Sequence, residues 1–360
     1  MNKGNFDLMG GGNAVGEVAS RLQSNGSMDP ASMRPYIAAN GKAYISVFKG
    51  GDKTKPANYA AVQVNNGTLR PDEWKMLDTA LVEVARERLT GFDYLVSKGL
   101  TWSLPNAMGT TVLEWQTISD SQRAVLTMDG VTRGTGDRVE YGQKFLPIPI
   151  MHVDYEINQR VLTVSRNMGN GLDVEEARNA ARRIREMKED MLFGNKPYNF
   201  GGSSIYSFLN FPDRTPVALA LSWTDPAITP ALILADVVKM KNAAKADLHF
   251  GPWVMFIPTN YESILDEDYD VSGSSLMTIR ERLMKVSGLT DIVTIDRLAE
   301  DNVLWVQLTS DTVQIVNGSP LQNIQWKTEG NFVNKYKVIE IAVPRFRADH
   351  YGKSGVVHMS

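Results

Sequence analysis

The sequence predicts an α+β fold, and three observations carry that expectation. An alternating strand at 151–158 runs through a glycine turn into a helix of about 20 residues, roughly 30 Å long. Residues 110–144 have β-rich flanks around a polar, glycine-containing tip, the pattern of a long projecting hairpin. From 231 to 316, helical and extended segments alternate, as in a compact α/β or α+β subdomain.

In chain order, residues 1–70 are rich in glycine, asparagine and serine, with one short apolar piece at Tyr44–Phe48. Such composition buries too little to fold alone, so this segment is expected to be an extended arm. Pro71, Asp72 and Glu73 suit the first turn of a helix. Trp74, Leu77, Leu81, Val84 and Leu89 form its apolar face, with Gly91 as its end and a short strand at Leu100–Leu104. Residues 71–109 thus join the arm to the body. The hairpin spans 110–144, and with no local partner expected for Trp115 and Ile118 it implies a partner surface, since two strands alone are marginal in water.

Residues 145–230 hold the strand and the long helix. Met151, Val153, Tyr155 and Ile157 alternate with His152, Asp154, Glu156 and Asn158. Asp173 and Glu176 have capping-box spacing, and Val174, Ala177, Ala181, Ile184, Met187 and Met191 form a narrow apolar stripe. Gly194 occupies the C-terminal cap position. Toward that end stand Glu186, Glu189 and Asp190, with Arg182 and Arg185 one turn earlier as partners for Glu186 and Glu189. Asp190 has no cation at that spacing, so a basic residue from the arm or an adjacent subunit is a candidate partner for it or for Glu186.

Residues 231–330 begin with a helix at Ala231–Ala246, with Leu232, Val238 and Ala243 inward, and the apolar strand Trp253–Pro258. A helix at Ser275–Val286 and strands at 291–295, 303–308 and 312–316 follow. Residues 331–360 contribute the strong strand Tyr336–Val343 and, at Arg345–Val357, a candidate edge strand.

Enzyme chemistry is hard to place on this chain. Its four histidines, His152, His249, His350 and His358, are scattered, and no metal-ligand motif surrounds them. Gly352-Lys353-Ser354 ends like a phosphate loop, but Arg347 stands where that loop needs glycine. Asp266, Asp268 and Asp270 alternate like calcium ligands, yet Val271 and Met277 occupy the positions of the loop's glycine and glutamate. The glycines at 10–12 and 16 follow no strand, and no G-x-S-x-G elbow is present. Asn25, Asn66 and Asn317 open N-x-S/T triplets that mean nothing without a secretion signal. No catalytic, cofactor-binding or metal-binding residue is therefore assigned. Cysteine is absent, so neither a disulfide framework nor thiolate chemistry is available. The net charge is only −3, without the basic density of a sequence-specific DNA binder. No apolar run reaches the roughly 18 residues of a membrane span, so a soluble, cytoplasmically made protein is expected.

Four segments, in this order, resemble one family. They are L-R-P-D-E-W-K-M-L-D-T-A-L from Leu69, the strand and long helix of 145–194, F-G-P-W-V-M-F-I-P-T-N-Y-E-S-I-L from Phe250, and K-V-I-E-I-A-V-P-R-F-R-A-D-H from Lys337. The order is similar to the Hong Kong-type capsid fold of tailed-phage major capsid proteins and encapsulin shells. The resemblance implies an N-terminal arm, an extended loop, a peripheral domain with a spine helix, and an axial domain. It implies a structural rather than enzymatic role: hexamers and pentamers in an icosahedral shell around double-stranded DNA touched non-specifically. A virion component assembled in the host cytoplasm follows, with separate scaffolding and portal proteins and room for a decoration protein. No fused scaffolding segment is expected, and no cross-linking Lys–Asn–Glu trio is assigned. An encapsulin nanocompartment is the alternative within the fold.

Overall fold

The computed structural model describes residues 34–50, 52, 55–64, 69–87, 90–119, 128, 139–167, 174–269, 277–325 and 333–360. Two sheets organise the body. The peripheral sheet has four strands in the order Thr101–Ser103, Val313–Gln325, Val333–Phe346 and Met151–Asn158. The first pair is parallel and the others antiparallel. The axial sheet has five strands, in the order Thr215–Val217, Val356–Met359, Val303–Gln307, Trp253–Pro258 and Leu289–Ile295. Its two outer pairs are parallel and its two inner pairs antiparallel.

Trp253–Pro258 is buried at all six positions. A strand covered on both faces reads as a continuous apolar run, which this one does. Trp253, Met255 and Ile257 face the helix Pro230–Ala246, while Val254 and Phe256 face the spine helix Glu175–Phe193. The rings of Phe193, Phe208, Phe256 and Phe346 meet tilted or edge-to-face at centroid distances of 4.7–5.8 Å and tie the spine helix to both sheets. One face of the axial sheet therefore shares a core with the peripheral sheet, and its other face packs a second core with the helix Pro230–Ala246.

Tertiary packing redraws several expected boundaries. Val313–Gln325 lies in the peripheral sheet, outside the axial unit expected at 231–330. The chain end is no edge strand, because Val356–Met359 is buried inside the axial sheet between Thr215–Val217 and Val303–Gln307. Residues 331–360 are thus divided between the two sheets. The arm also contains regular structure: Tyr36–Ile37, Ala43–Phe48 and Tyr59–Val64 pair antiparallel around Ile45, Val47 and Val64. Residues 1–33 lie outside the described residues.

Helix registers shift for identifiable reasons. In Pro230–Ala246 the buried residues are Ile233, Val237, Met240 and Ala244, while Leu232 and Val238 are exposed. The stretch P-A-L-I-L-A-D-V-V is apolar nearly all round, so its period carries little contrast. Gly91 does not end the first helix, Pro71–Glu87; it lies in the first turn of the next, Thr90–Ser97, against the Phe193 ring. Gly194 has an extended backbone rather than a left-handed one. Glycine is needed there because a Cβ would overlap the Asp190 carbonyl. Asp173, the expected cap, lies outside the described residues, and Val174 holds the N-cap position of Glu175–Phe193; the helix expected from Ser275 begins instead at Ile279, where the Thr278 hydroxyl caps it by accepting the Glu281 N–H. One helix was not foreseen: Gln159–Asn167 follows the strand directly, and Asn158 Oδ1 accepts the Arg160 N–H at 2.8 Å.

Candidate functional site

Among the described residues, no group of three or more His, Asp or Glu side chains could hold a metal ion. The histidines are dispersed. His152 is half exposed beside Asp154 at 3.4 Å. His249 meets Gln307 at 2.9 Å. His358 is buried between Arg214 and Asn302, at 3.2 and 2.6 Å. Burial, with the Arg214 charge beside it, lowers its pKa to about 4. Asp266 pairs with Arg280 at 3.3 Å, and Asp270 lies outside the described residues. The Ser354 hydroxyl donates to the Asp213 carbonyl within the body at 2.7 Å. No helix among these residues is long and apolar enough to cross a membrane.

The prominent surface feature is the hairpin. Val112–Ile118 pairs with Tyr141–Pro147, from Val112 opposite Pro147 to Ile118 opposite Tyr141. Opposed residues share a face. One face carries Val112, Phe145, Ile118 and Tyr141, which are 40, 44, 59 and 63 % exposed. The other carries Leu113, Trp115 and Leu146, packed on the body. Among the described residues this sheet has only these two strands. Among residues 120–138 only Met128 is described, so the tip lies outside the description.

Charged side chains tie the hairpin to the body. Arg345 sits between Trp102 and Trp115, with its guanidinium carbon 5.2 and 5.7 Å from the two rings, and donates to the Gln314 side chain. Burial, with Arg347 nearby, holds the Arg345 pKa below its usual range. Trp115 therefore has a partner within its own chain, contrary to the sequence expectation. Lys144 meets Asp213 at 3.5 Å, and Glu140 meets His350 at 3.9 Å. A cavity of about 270 Å³ beneath the hairpin is lined by Trp115, Phe145, Tyr206, Phe211 and Phe346.

A second cluster underlies the spine helix. Arg185, Lys188 and Glu189 are buried, whereas Met187, expected inside, is 41 % exposed. Lys188 Nζ lies 2.6 Å from Glu340 Oε1 and 4.4 Å from the Phe92 ring centroid. Glu189 accepts the Gly91 N–H at 3.1 Å, and Arg185 lies 4.0 Å from Asp93. Burial raises the Glu189 pKa to about 7 against the pull of the Gly91 N–H, with Asp93 adding to the rise. Burial likewise raises the pKa of Asp93.

The half-buried acids Glu186 and Asp190 find a different cation from those expected. Arg297, in the turn after the axial strand Leu289–Ile295, contacts both Asp190 oxygens at 3.0 and 3.1 Å and Glu186 at 3.5 Å. Arg183, not Arg182, pairs with Glu186 at 3.0 Å. Arg182 bonds Asn179. Arg297 comes from neither arm nor neighbour, and no local spacing pointed to it. Two signals for the buried cluster were present. Lys188 falls on the stripe of Ala181, Ile184 and Met191, and Glu340 is the lone acid in V-I-E-I-A-V.

A four-stranded sheet under a long helix, a five-stranded sheet and a two-stranded projection make up the Hong Kong-type capsid fold. Solved structures share it. The virus-like particle of Pyrococcus furiosus aligns with a TM-score of 0.57 and 18 % identity, over 80 % of this chain and 99 % of that one. The capsid of Myoviridae phage XM1 aligns with a TM-score of 0.58 and 11 % identity, over 76 % and 92 %. Among curated proteins, the type 1 encapsulin shell protein EncA of Myxococcus xanthus (strain DK1622) is 24 % identical over 235 residues, 65 % of this chain and 71 % of that protein. The chain belongs to a family of unknown function, DUF6260, whose profile matches residues 62–359.

Proposed function

We propose that this chain is a non-enzymatic shell subunit, and specifically the major capsid protein of a tailed bacteriophage. Many copies close into an icosahedral shell around double-stranded DNA, built in the host cytoplasm with separate scaffolding and portal proteins. The observation that carries this reading is the outward hairpin face of Val112, Phe145, Ile118 and Tyr141 on a body of capsid fold. Such a face on a two-stranded sheet gains most by lying across another subunit. Near-neutral overall charge suits a wall that encloses DNA without gripping it.

The likeness to EncA favours a second reading, a nanocompartment shell that encloses protein cargo. Particles purified from the natural source separate the two. The capsid reading expects nuclease-resistant double-stranded DNA of uniform length inside them. Particles that hold a co-purifying enzyme and no protected DNA would favour the compartment, and a small soluble oligomer would contradict both.

A further inference from the structure

The described strands of the hairpin rest on the body along their length, through Leu113, Trp115 and Leu146 and, at the far end, Glu140 with His350, and one cation sits beneath the middle of the first strand. Arg345 is 9 % exposed and stands on the strand Val333–Phe346 opposite Gln314, to whose side chain it donates. On one side lies Trp102, from the parallel edge strand, and on the other Trp115, from the hairpin. The planar guanidinium thus lies between an indole fixed in the peripheral sheet and an indole that moves with the hairpin. Guanidinium favours such stacking over a compact ammonium, because it is flat and weakly hydrated. The other charged contacts of the hairpin, Lys144 with Asp213 and Glu140 with His350 at its far end, each have one exposed member and are weaker restraints.

We propose that Arg345 is a positioning residue that sets the angle of the hairpin on the body, and through it the curvature of the shell. This rests on the shell reading above. At about 3.4 Å per residue the strand from Trp115 to Ile118 spans about 10 Å, so a 10° turn at Trp115 moves its far end by about 2 Å. A displacement of that size would change how a neighbouring copy is met.

The test uses the full-length chain. In unassembled subunits, Arg345→Met and Trp115→Leu should each speed amide hydrogen exchange in 112–118 and 141–147 by about tenfold or more, with 175–193 unchanged. Arg345→Lys should fall between wild type and Arg345→Met, and Trp115→Phe should stay near wild type. These two conservative variants keep the comparison readable if a harsher one fails to fold. By electron microscopy, particles of Arg345→Lys should spread in diameter where wild type is uniform. Unchanged hairpin exchange, or exchange raised equally in the spine helix, would overturn the assignment. Faster hairpin exchange with an unchanged particle diameter would overturn the link to curvature. Absence of wild-type particles would count against the shell reading, while the exchange comparison on free subunits would still decide the role of Arg345.

Discussion

The buried pair beneath the spine helix offers a quantitative test of how the peripheral domain is held. Lys188 and Glu340 are 10 and 8 % exposed at the side chain and 2.6 Å apart, and Phe92 covers the ammonium at 4.4 Å. The second Glu340 oxygen has no hydrogen-bond partner among the described residues. Removing one member leaves the other charge buried without its partner, which costs about 3–5 kcal/mol. Replacing both with apolar groups of similar volume removes the desolvation cost along with the attraction, and is often neutral or better. Lys188→Met and Glu340→Leu should therefore each destabilise the free subunit by about 3–5 kcal/mol, and the double variant should recover most of that loss. At about 2 °C per kcal/mol for a chain of this size, each single variant should melt about 6–10 °C lower. A double-mutant cycle by thermal and denaturant unfolding of unassembled subunits measures the coupling. If both single variants fall within about 1 kcal/mol of wild type, water reaches the pair in solution and the buried-cluster account is wrong.

Three further outcomes follow from the same geometry. Glu189 has its pKa raised from 4.5 to about 7, so its protonation favours the folded state. That contribution is full below pH 4.5 and lost as pH rises through about 7; Glu189→Gln should thus gain about 2–3 kcal/mol over wild type at pH 8 and little at pH 4.5, by denaturant titration at both pH values. Gly91→Ala would drive a Cβ into the buried Phe193 ring and should cost about 1–3 kcal/mol by the same titration; a neutral result would mean that Phe193 can give way. Arg297→Glu places an acid beside Asp190 and Glu186, whose contacts with Arg297 are partly exposed, so the loss should be about 1 kcal/mol and should shrink at high salt.

Where one segment decides its own environment, the sequence is readable. W-V-M-F-I-P could only be a strand covered on both faces, and the alternation at 151–158 matches its burial except at Val153, which is half-buried. The β-rich flanks of the hairpin foretold its paired strands but not the Arg345 contact, which joins residues 230 positions apart. Sheet membership was the least legible feature. Val313–Gln325 mixes apolar with polar residues and Val356–Met359 is largely apolar, yet neither pattern says that one lies in the peripheral sheet and the other inside the axial one. Long-range pairing decides it: Val313–Gln325 pairs with Val333–Phe346, and Val356–Met359 with Val303–Gln307. The cation for Asp190 is illegible for the same reason, because Arg297 lies 107 residues away.

The central claim is that copies of this chain close into a shell through the hairpin. Electron microscopy of the purified wild-type chain beside a variant lacking Asp120–Gly136 tests it most directly, with circular dichroism to show that both are folded. The account predicts closed particles of uniform diameter for wild type and folded, unassembled subunits for the shortened chain. Normal particles from the shortened chain, or none from wild type under any assembly condition, would contradict it.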